Sequence, residues 1–483
     1  MSPLLILIIV LSYFGVLLII SFFTSRNVNN EGFFLGNRQS RWYVVAIGML
    51  GSSISGVTFI SVPGWVQTTQ MTYIQMVMGF VLGYLVIAHL LLPLYYRLNL
   101  TSIYTYLEKR FGKASYKTGA SFFLLSRTIG SAARLYVVAH VLQITVFQQL
   151  AVPFWATVII TILLIWLYTY KGGIKTIIWT DMLQTFFLFT ALIATIVLVT
   201  RELNFTLLDS VNAIVASPMS KIFEFSDWGS SQHFVKQFIS GALITIVMTG
   251  LDQDMMQKNL SCRNIKEAKR NVITYGFAFL PANLLFLSLG VLLMIFANQA
   301  GISIDMIHGD NLYPYIATNF LGPVILILFL IGLMASAYSS ADSALTALTT
   351  SFTVDIVGIK NKTEKAIKSI RTKTHIGFSV IMAIMIILFN VFNEKSIIDA
   401  IYAIAGYTYG PLLGLYAFGL FTKLNVKDKA VPFIAILSPI LAYLISFMLK
   451  EFTGYVMGYE LLLLNGIITF VGLLIFKRKG KVL

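Results

Sequence analysis

Apolar stretches of about twenty residues recur from one end of this chain to the other, and few folds are open to such stretches. Inside a bilayer every backbone N–H and C=O must find its partner within the protein, so the stretches are helices. Their density leaves little chain for a domain outside the membrane. Composition agrees, since 57% of the 483 residues are hydrophobic and only 11% are charged, which excludes an ordinary soluble domain. The first stretch, 4–23, has no basic region before it and no small-residue cleavage site, so it reads as a retained helix and not as a signal peptide.

Hydropathy, interrupted at Gly, Pro and charged residues, predicts an all-α polytopic protein with thirteen transmembrane helices, at about 3–24, 43–67, 72–96, 118–148, 152–170, 176–200, 234–257, 272–297, 320–355, 374–393, 397–421, 430–449 and 457–476. One transmembrane domain then fills 1–483. The net charge of +15 orients it. With the N-terminus outside and the C-terminus cytoplasmic, the segments at 26–41, 97–117, 171–175, 258–270, 360–373, 423–429 and 477–481 are cytoplasmic and hold 28 of the 35 Lys and Arg. Only Arg201, Lys221, Lys236, Lys395 and Lys450 fall on the outer side. The basic loops are thus orientation signals for a multi-pass protein of the cell (inner) membrane, with the lipid bilayer as partner and no nucleic acid. A lone Cys262 permits no internal disulfide. Of the outer segments, 302–320 is mixed polar and aromatic, which fits a short helix over the outer face.

Polar residues and Gly at mid-membrane depth mark function, because lipid penalises them. The second span has a dense run of small and hydroxyl residues from Gly48 to Pro63, with Gly51 and Gly56 able to unwind it and free carbonyls for a cation; close helix packing would use the same residues. The ninth span places Ser336, Ser339, Ser340 and Ser343 on one face, a stripe of hard oxygens suited to sodium. Hydroxyls that bond back to their own helix give the same stripe. Asp342 lies beside it, and an intramembrane carboxylate has to be paired, protonated or ion-bound. Asp181 sits near the cytoplasmic end of the sixth span, where the helix dipole alone would favour it. Arg127 and Arg134 flank Ser131 and need partners, with Asp342 or lipid headgroups as options.

At these residues the chain resembles the sodium:solute symporter family across essentially its full length. The resemblance rests on the polar second span with Phe59 and Pro63, on Lys171-Gly-Gly-Ile and Trp179-Thr-Asp181, on Gln253 with Ile265-Lys-Glu-Ala-Lys-Arg270, and on Ala337-Tyr-Ser-Ser340 through Asp355. It implies a LeuT-like inverted repeat of five plus five helices, about 43–200 and 234–421, with a broken first helix in each and peripheral helices at 3–24, 430–449 and 457–476. It implies Na+ as the coupling ion, bound by the carbonyls of Gly51, Ile54 and Ser336 and the hydroxyls of Ser339 and Ser340. A second sodium would use Asp181, Asp342 and Ser343; here Asp342 stands where a hydroxyl is expected, so a second sodium, a shared proton and a structural pair with Arg134 all stay open.

Substrate positions by resemblance are Ser53, Ser55, Thr58, Tyr73, Gln75, Ser131, Arg134, Thr245, Thr249 and Tyr407. The Tyr and Lys that anchor sugar in the glucose branch are replaced by Met248 and Phe279, and the carboxylate-binding Arg of the sialic acid branch aligns with Ser131. Sequence therefore leads to sodium-coupled symport of a small polar solute, a sugar, sugar acid, carboxylate or amino acid, by a monomeric transport unit. An uncoupled channel or a transporter-derived sensor is the alternative. No His/Cys metal cluster, phosphate loop or nucleophile–base spacing suggests an enzyme, and His89 and His140 stand alone.

Overall fold

The structure, a computed structural model, describes residues 3–478 apart from 27, 304–306, 308 and 393–396. Lys395 and the terminal Lys479 and Lys481, used in the charge argument, lie outside the described residues. Long runs of Leu, Ile, Val and Phe fold as helices whose apolar side chains reach outward as well as inward. Phe22, Phe186, Val391, Phe433 and Phe452 are all exposed, as a lipid-facing surface requires.

Among the described residues eight helices are long and apolar enough to cross a membrane: Leu5–Thr24, Tyr73–Arg97, Lys113–Phe147, Ile174–Glu202, Ile265–Gln299, Gly322–Val357, Glu364–Val391 and Asp428–Thr453. Two further pairs meet the criterion only when taken together. Trp42–Ser53 and Gly56–Thr69 meet at a 60° bend, and Phe234–Gly250 and Gln253–Leu260 at 66°. We call these the first and second broken helices. Phe154–Thr169 and Leu461–Ile475 are shorter apolar helices, and Ile397–Phe421 packs against the latter and against Lys113–Leu142.

Gly51 and Gly56 are not where the first helix opens. The break falls between them, at Ile54 (φ −80°, ψ 81°) and Ser55 (φ −68°, ψ 166°), and Ser55 caps the next helix by accepting from the Thr58 N–H. The glycines serve close approach instead. A Cβ on Gly51 would lie 2.0 Å from Thr185 Oγ1, and one on Gly56 would lie 3.1 Å from the Ala337 Cβ. The packing alternative thus holds for the glycines, and the opening holds for the residues between them.

The second break follows a π-helical turn at Ile246–Gly250, a distortion that often marks functional positions. Asp252 restarts the helix as its N-cap, accepting from the N–H groups of Asp254 and Met255. Above the first broken helix lies Gly309–Asn319, within the outer segment expected to form a short helix. Its Tyr313 ring sits 5.5 Å from that of Phe59 and its hydroxyl donates to Thr195.

Candidate functional site

The corner of the first broken helix rests against the serine stripe. Gly56 abuts Ala337, and Gly48 and Gly51 pack on Asp181 and Thr185 of Ile174–Glu202. Three elements therefore converge where the backbone of Ile54 departs from helical geometry. All four stripe serines are buried, yet they divide in what they do. Ser336 donates to its own helix at Leu333, and Ser339 donates across to Asp181 Oδ1 at 2.6 Å. Ser343 donates to Asp254. Ser340 Oγ is buried without any hydrogen-bond partner. A buried hydroxyl left so has an oxygen to offer an ion, since an unsatisfied polar group is otherwise costly by about 1–3 kcal/mol.

Charge gathers at the second break. Arg127, on Lys113–Phe147, forms an ion pair with Asp254 and lies 3.9 Å from Asp252. Tyr409 donates its hydroxyl to Asp252, and Ser343 reaches Asp254 from the stripe helix. Two carboxylates and a guanidinium, all buried, thus staple this corner.

Between the breaks lies a cavity of about 110 Å³ whose lining includes Ser53, Thr58, Arg127, Arg134, Thr249 and Tyr275. A wider vestibule of about 650 Å³ shares Trp65, Tyr73, Ile244 and Met248 with it and widens toward Gln232, Lys236 and Tyr407. Ser53 and Tyr275 share a hydrogen bond of 2.6 Å, and Tyr84 bonds to the same Tyr275 hydroxyl. Aromatic rings and hydroxyls alternate around the space, a lining suited to a solute with a small apolar body and polar ends.

Most of the anticipated solute positions meet here. Ser53, Ser55, Thr58, Tyr73, Arg134, Thr245 and Thr249 line the deep cavity, as do Met248 and Phe279, while Tyr407 lines only the vestibule. Ser131 is buried outside the lining. Gln75 is elsewhere: it donates to Thr72 and Gln232 carbonyls and accepts from the Glu224 N–H, which ties down an outer loop.

The three residues suggested for a second ion take different partners. Asp181 holds Lys258 and Ser339, Asp342 Oδ2 accepts from Tyr168, and Ser343 donates to Asp254. Asp342 Oδ1 has no hydrogen-bond partner, and Arg127 is held by Asp254. Lys258, placed among the cytoplasmic orientation charges, is instead buried in an ion pair of 2.7 Å with Asp181. Sequence also missed Asp252 and Asp254. Their signal was available, because an Asp-Gln-Asp run directly after apolar residues ending at Leu251 interrupts a span and supplies an N-cap. Of the isolated histidines, His89 contacts its own helix's Leu85 carbonyl at 2.9 Å and His140 lies beside Tyr136. Cys262 is buried, and burial pushes its thiol pKa up, away from reactivity.

Two broken helices around a polar cavity, with a vestibule above it, are the architecture of a LeuT-like secondary transporter. The fold matches the solved structure of a substrate-bound, outward-open Na+-coupled sialic acid symporter with a TM-score of 0.83 at 20% identity, covering 97% of each chain. The sodium:solute symporter family model matches residues 33–430, and the chain belongs to that family. Its relatives include the sodium/sialic acid symporter SiaT of Proteus mirabilis, 24% identical over 95% of this chain and 94% of that one. The sodium-coupled monocarboxylate transporter 1 of Mus musculus is 23% identical, over 81% of this chain and 64% of its own length. The protein is thus a transporter and not an enzyme, and it couples the movement of a small organic solute to sodium.

Proposed function

We propose that this symporter imports a small organic anion, a carboxylate, with sodium. The observation that carries the solute class is the charge of the deep cavity. Two guanidiniums, Arg127 and Arg134, line it, and no carboxylate side chain does among the described residues. Behind Arg127 stand Asp254, in an ion pair with it, and Asp252 at 3.9 Å. A guanidinium presents a planar fork of donors matched to a carboxylate, and Ser53, Thr58, Thr245 and Thr249 offer hydroxyls to its other polar groups.

Sodium binds in this reading to the carbonyls of Gly51, Ile54 and Ser336 and the hydroxyls of Ser339 and Ser340. The convergence of the Ile54 corner on the stripe and the partnerless Ser340 hydroxyl support it. An ion there joins the first broken helix to the Gly322–Val357 helix and orders the wall that carries Ser53 and Ser55. Coupling is then the difference in ion affinity between the two access states. The chain crosses the cell (inner) membrane thirteen times as a single domain with its N-terminus outside, and one chain is the transport unit. Helices at all the expected spans and the basic segments that alternate with them support this topology.

The test is uptake into proteoliposomes under an inward sodium gradient, with labelled short carboxylates and their neutral amide counterparts compared. Sodium-driven accumulation of a carboxylate, with the amide excluded, is the expected result. Sodium-driven uptake of neutral sugars alone would refute the anion assignment.

A further inference from the structure

Lys258 has an environment that a cytoplasmic orientation charge does not need. It lies on Gln253–Leu260, the second half of the second broken helix, and its side chain is 1% exposed. Its Nζ stands 2.7 Å from Asp181 Oδ2 and donates to Ser52 Oγ at 2.7 Å. Both contacts adjoin the sodium-binding corner: Ser52 lies between Gly51 and Ile54, and Asp181 accepts the proton of Ser339.

We infer that the Lys258 ammonium is a built-in cation that fills the position on Asp181 where a second sodium would bind, so that the symporter carries one sodium per cycle. The inference rests on the sodium site proposed above. A buried carboxylate has to be matched by a positive charge, and a compact ammonium with three donors supplies that charge as an ion would. With Lys258 at 2.7 Å, Asp181 Oδ2 already has a cationic partner. Its other oxygen, Oδ1, receives Ser339.

The local charge count agrees. Asp181 and its electrostatic neighbour Asp342 are the carboxylates of this cluster and Lys258 its ammonium, with Tyr168, Ser52 and Ser339 as neutral partners. One negative charge is left over, which a single sodium at the neutral oxygens of the corner offsets. A second sodium would leave the buried cluster net positive, with a charge that nothing in the cluster matches. The tether also orders the main site. By holding Asp181, Lys258 fixes the carboxylate to which Ser339 donates, and a hydroxyl that donates there turns its lone pairs toward the corner.

The experiment counts sodium. Equilibrium binding of radioactive sodium to the purified wild-type chain, together with the sodium dependence of solute uptake in proteoliposomes, is expected to give one ion per chain and a Hill coefficient near 1. Lys258→Ala is expected to bind a second sodium and to raise the Hill coefficient toward 2, Asp181→Asn in that background to remove the second ion, and Lys258→Arg to keep one. Two ions per wild-type chain would overturn the inference without any variant, and so would a folded Lys258→Ala that still binds one. A wild-type chain that binds one ion, with Ser340→Ala having no effect on its affinity, would strike the proposed location of the main site instead.

Discussion

At Ile54–Ser55 the backbone turns in a helix pair that contains no charged residue between Trp42 and Thr69, whereas at Leu251–Asp252 the turn is surrounded by Arg127, Asp252 and Asp254. The two bends are nearly equal, 60° and 66°. What closes them differs. The second corner supplies its own counter-charges and hydrogen bonds, through the Asp252 cap, the Arg127 pair and the hydroxyls of Tyr409 and Ser343. The first carries no charge of its own: the Lys258–Asp181 pair reaches it through Ser52 and Gly48, and the stripe helix that Gly56 abuts holds Ser340, whose hydroxyl has no partner. A break completed by protein is a structural joint, and a break left with spare oxygens is a place for a cation. One corner is thus closed by the protein's own charges, and the other is where we propose that sodium binds.

Removing the staple should have the largest effect. Arg127→Ala leaves two buried carboxylates uncompensated and is predicted to destabilise the protein by about 3–5 kcal/mol, seen as a large fall in melting temperature with or without sodium. If that fall were abolished by sodium, the second break would itself be an ion site and the contrast would fail.

Next comes close packing. Gly51→Ala places a methyl 2.0 Å from Thr185 Oγ1 and 3.1 Å from the Thr185 Cα, so the half-helix has to shift. A loss of about 1–3 kcal/mol is expected, together with weaker sodium protection in thermal melts, because the displaced backbone carries the proposed carbonyl ligands. Its counterpart Gly250→Ala meets Leu91 Cδ1 at 2.5 Å, the mobile end of a side chain, and should be milder and insensitive to sodium. Equal sodium sensitivity in both would erase the distinction.

The smallest effect sharpens the cavity side of the comparison. Tyr275→Phe removes the hydroxyl bonded to Ser53 at the first break. Half-saturation by solute should rise by about two- to tenfold, in keeping with about 0.5–1.5 kcal/mol for one hydrogen bond, while half-saturation by sodium stays unchanged. A shift in sodium alone would move Ser53 from the solute to the ion.

The helices and the first broken helix were legible in the sequence because lipid leaves apolar runs one outcome, and a cluster of small hydroxyl residues within such a run stands out against it. Which atoms open the break was not legible. Gly51 and Gly56 looked like the hinge, yet the contacts with Thr185 and Ala337 that claim them come from helices distant in sequence. Lys258 and Gln75 show the same thing at the level of side chains. Counting charges by segment puts Lys258 in the cytoplasm, and only the approach of Asp181, from another helix, draws it inside. Gln75 sits at the right depth for solute but is taken by an outer loop that hydropathy does not position. Pairings between distant segments decide such cases, and single-sequence periodicity carries no record of them.

The contrast between the two breaks is tested most directly by the sodium dependence of solute uptake in proteoliposomes made with wild-type protein and with Ser340→Ala. Ser340 Oγ has no hydrogen-bond partner to lose, so the variant should fold normally. The account predicts a rise of about tenfold in the sodium concentration for half-maximal uptake, equivalent to ~1.4 kcal/mol, with the maximal rate retained at saturating sodium. An unchanged half-maximal sodium concentration in Ser340→Ala would contradict it.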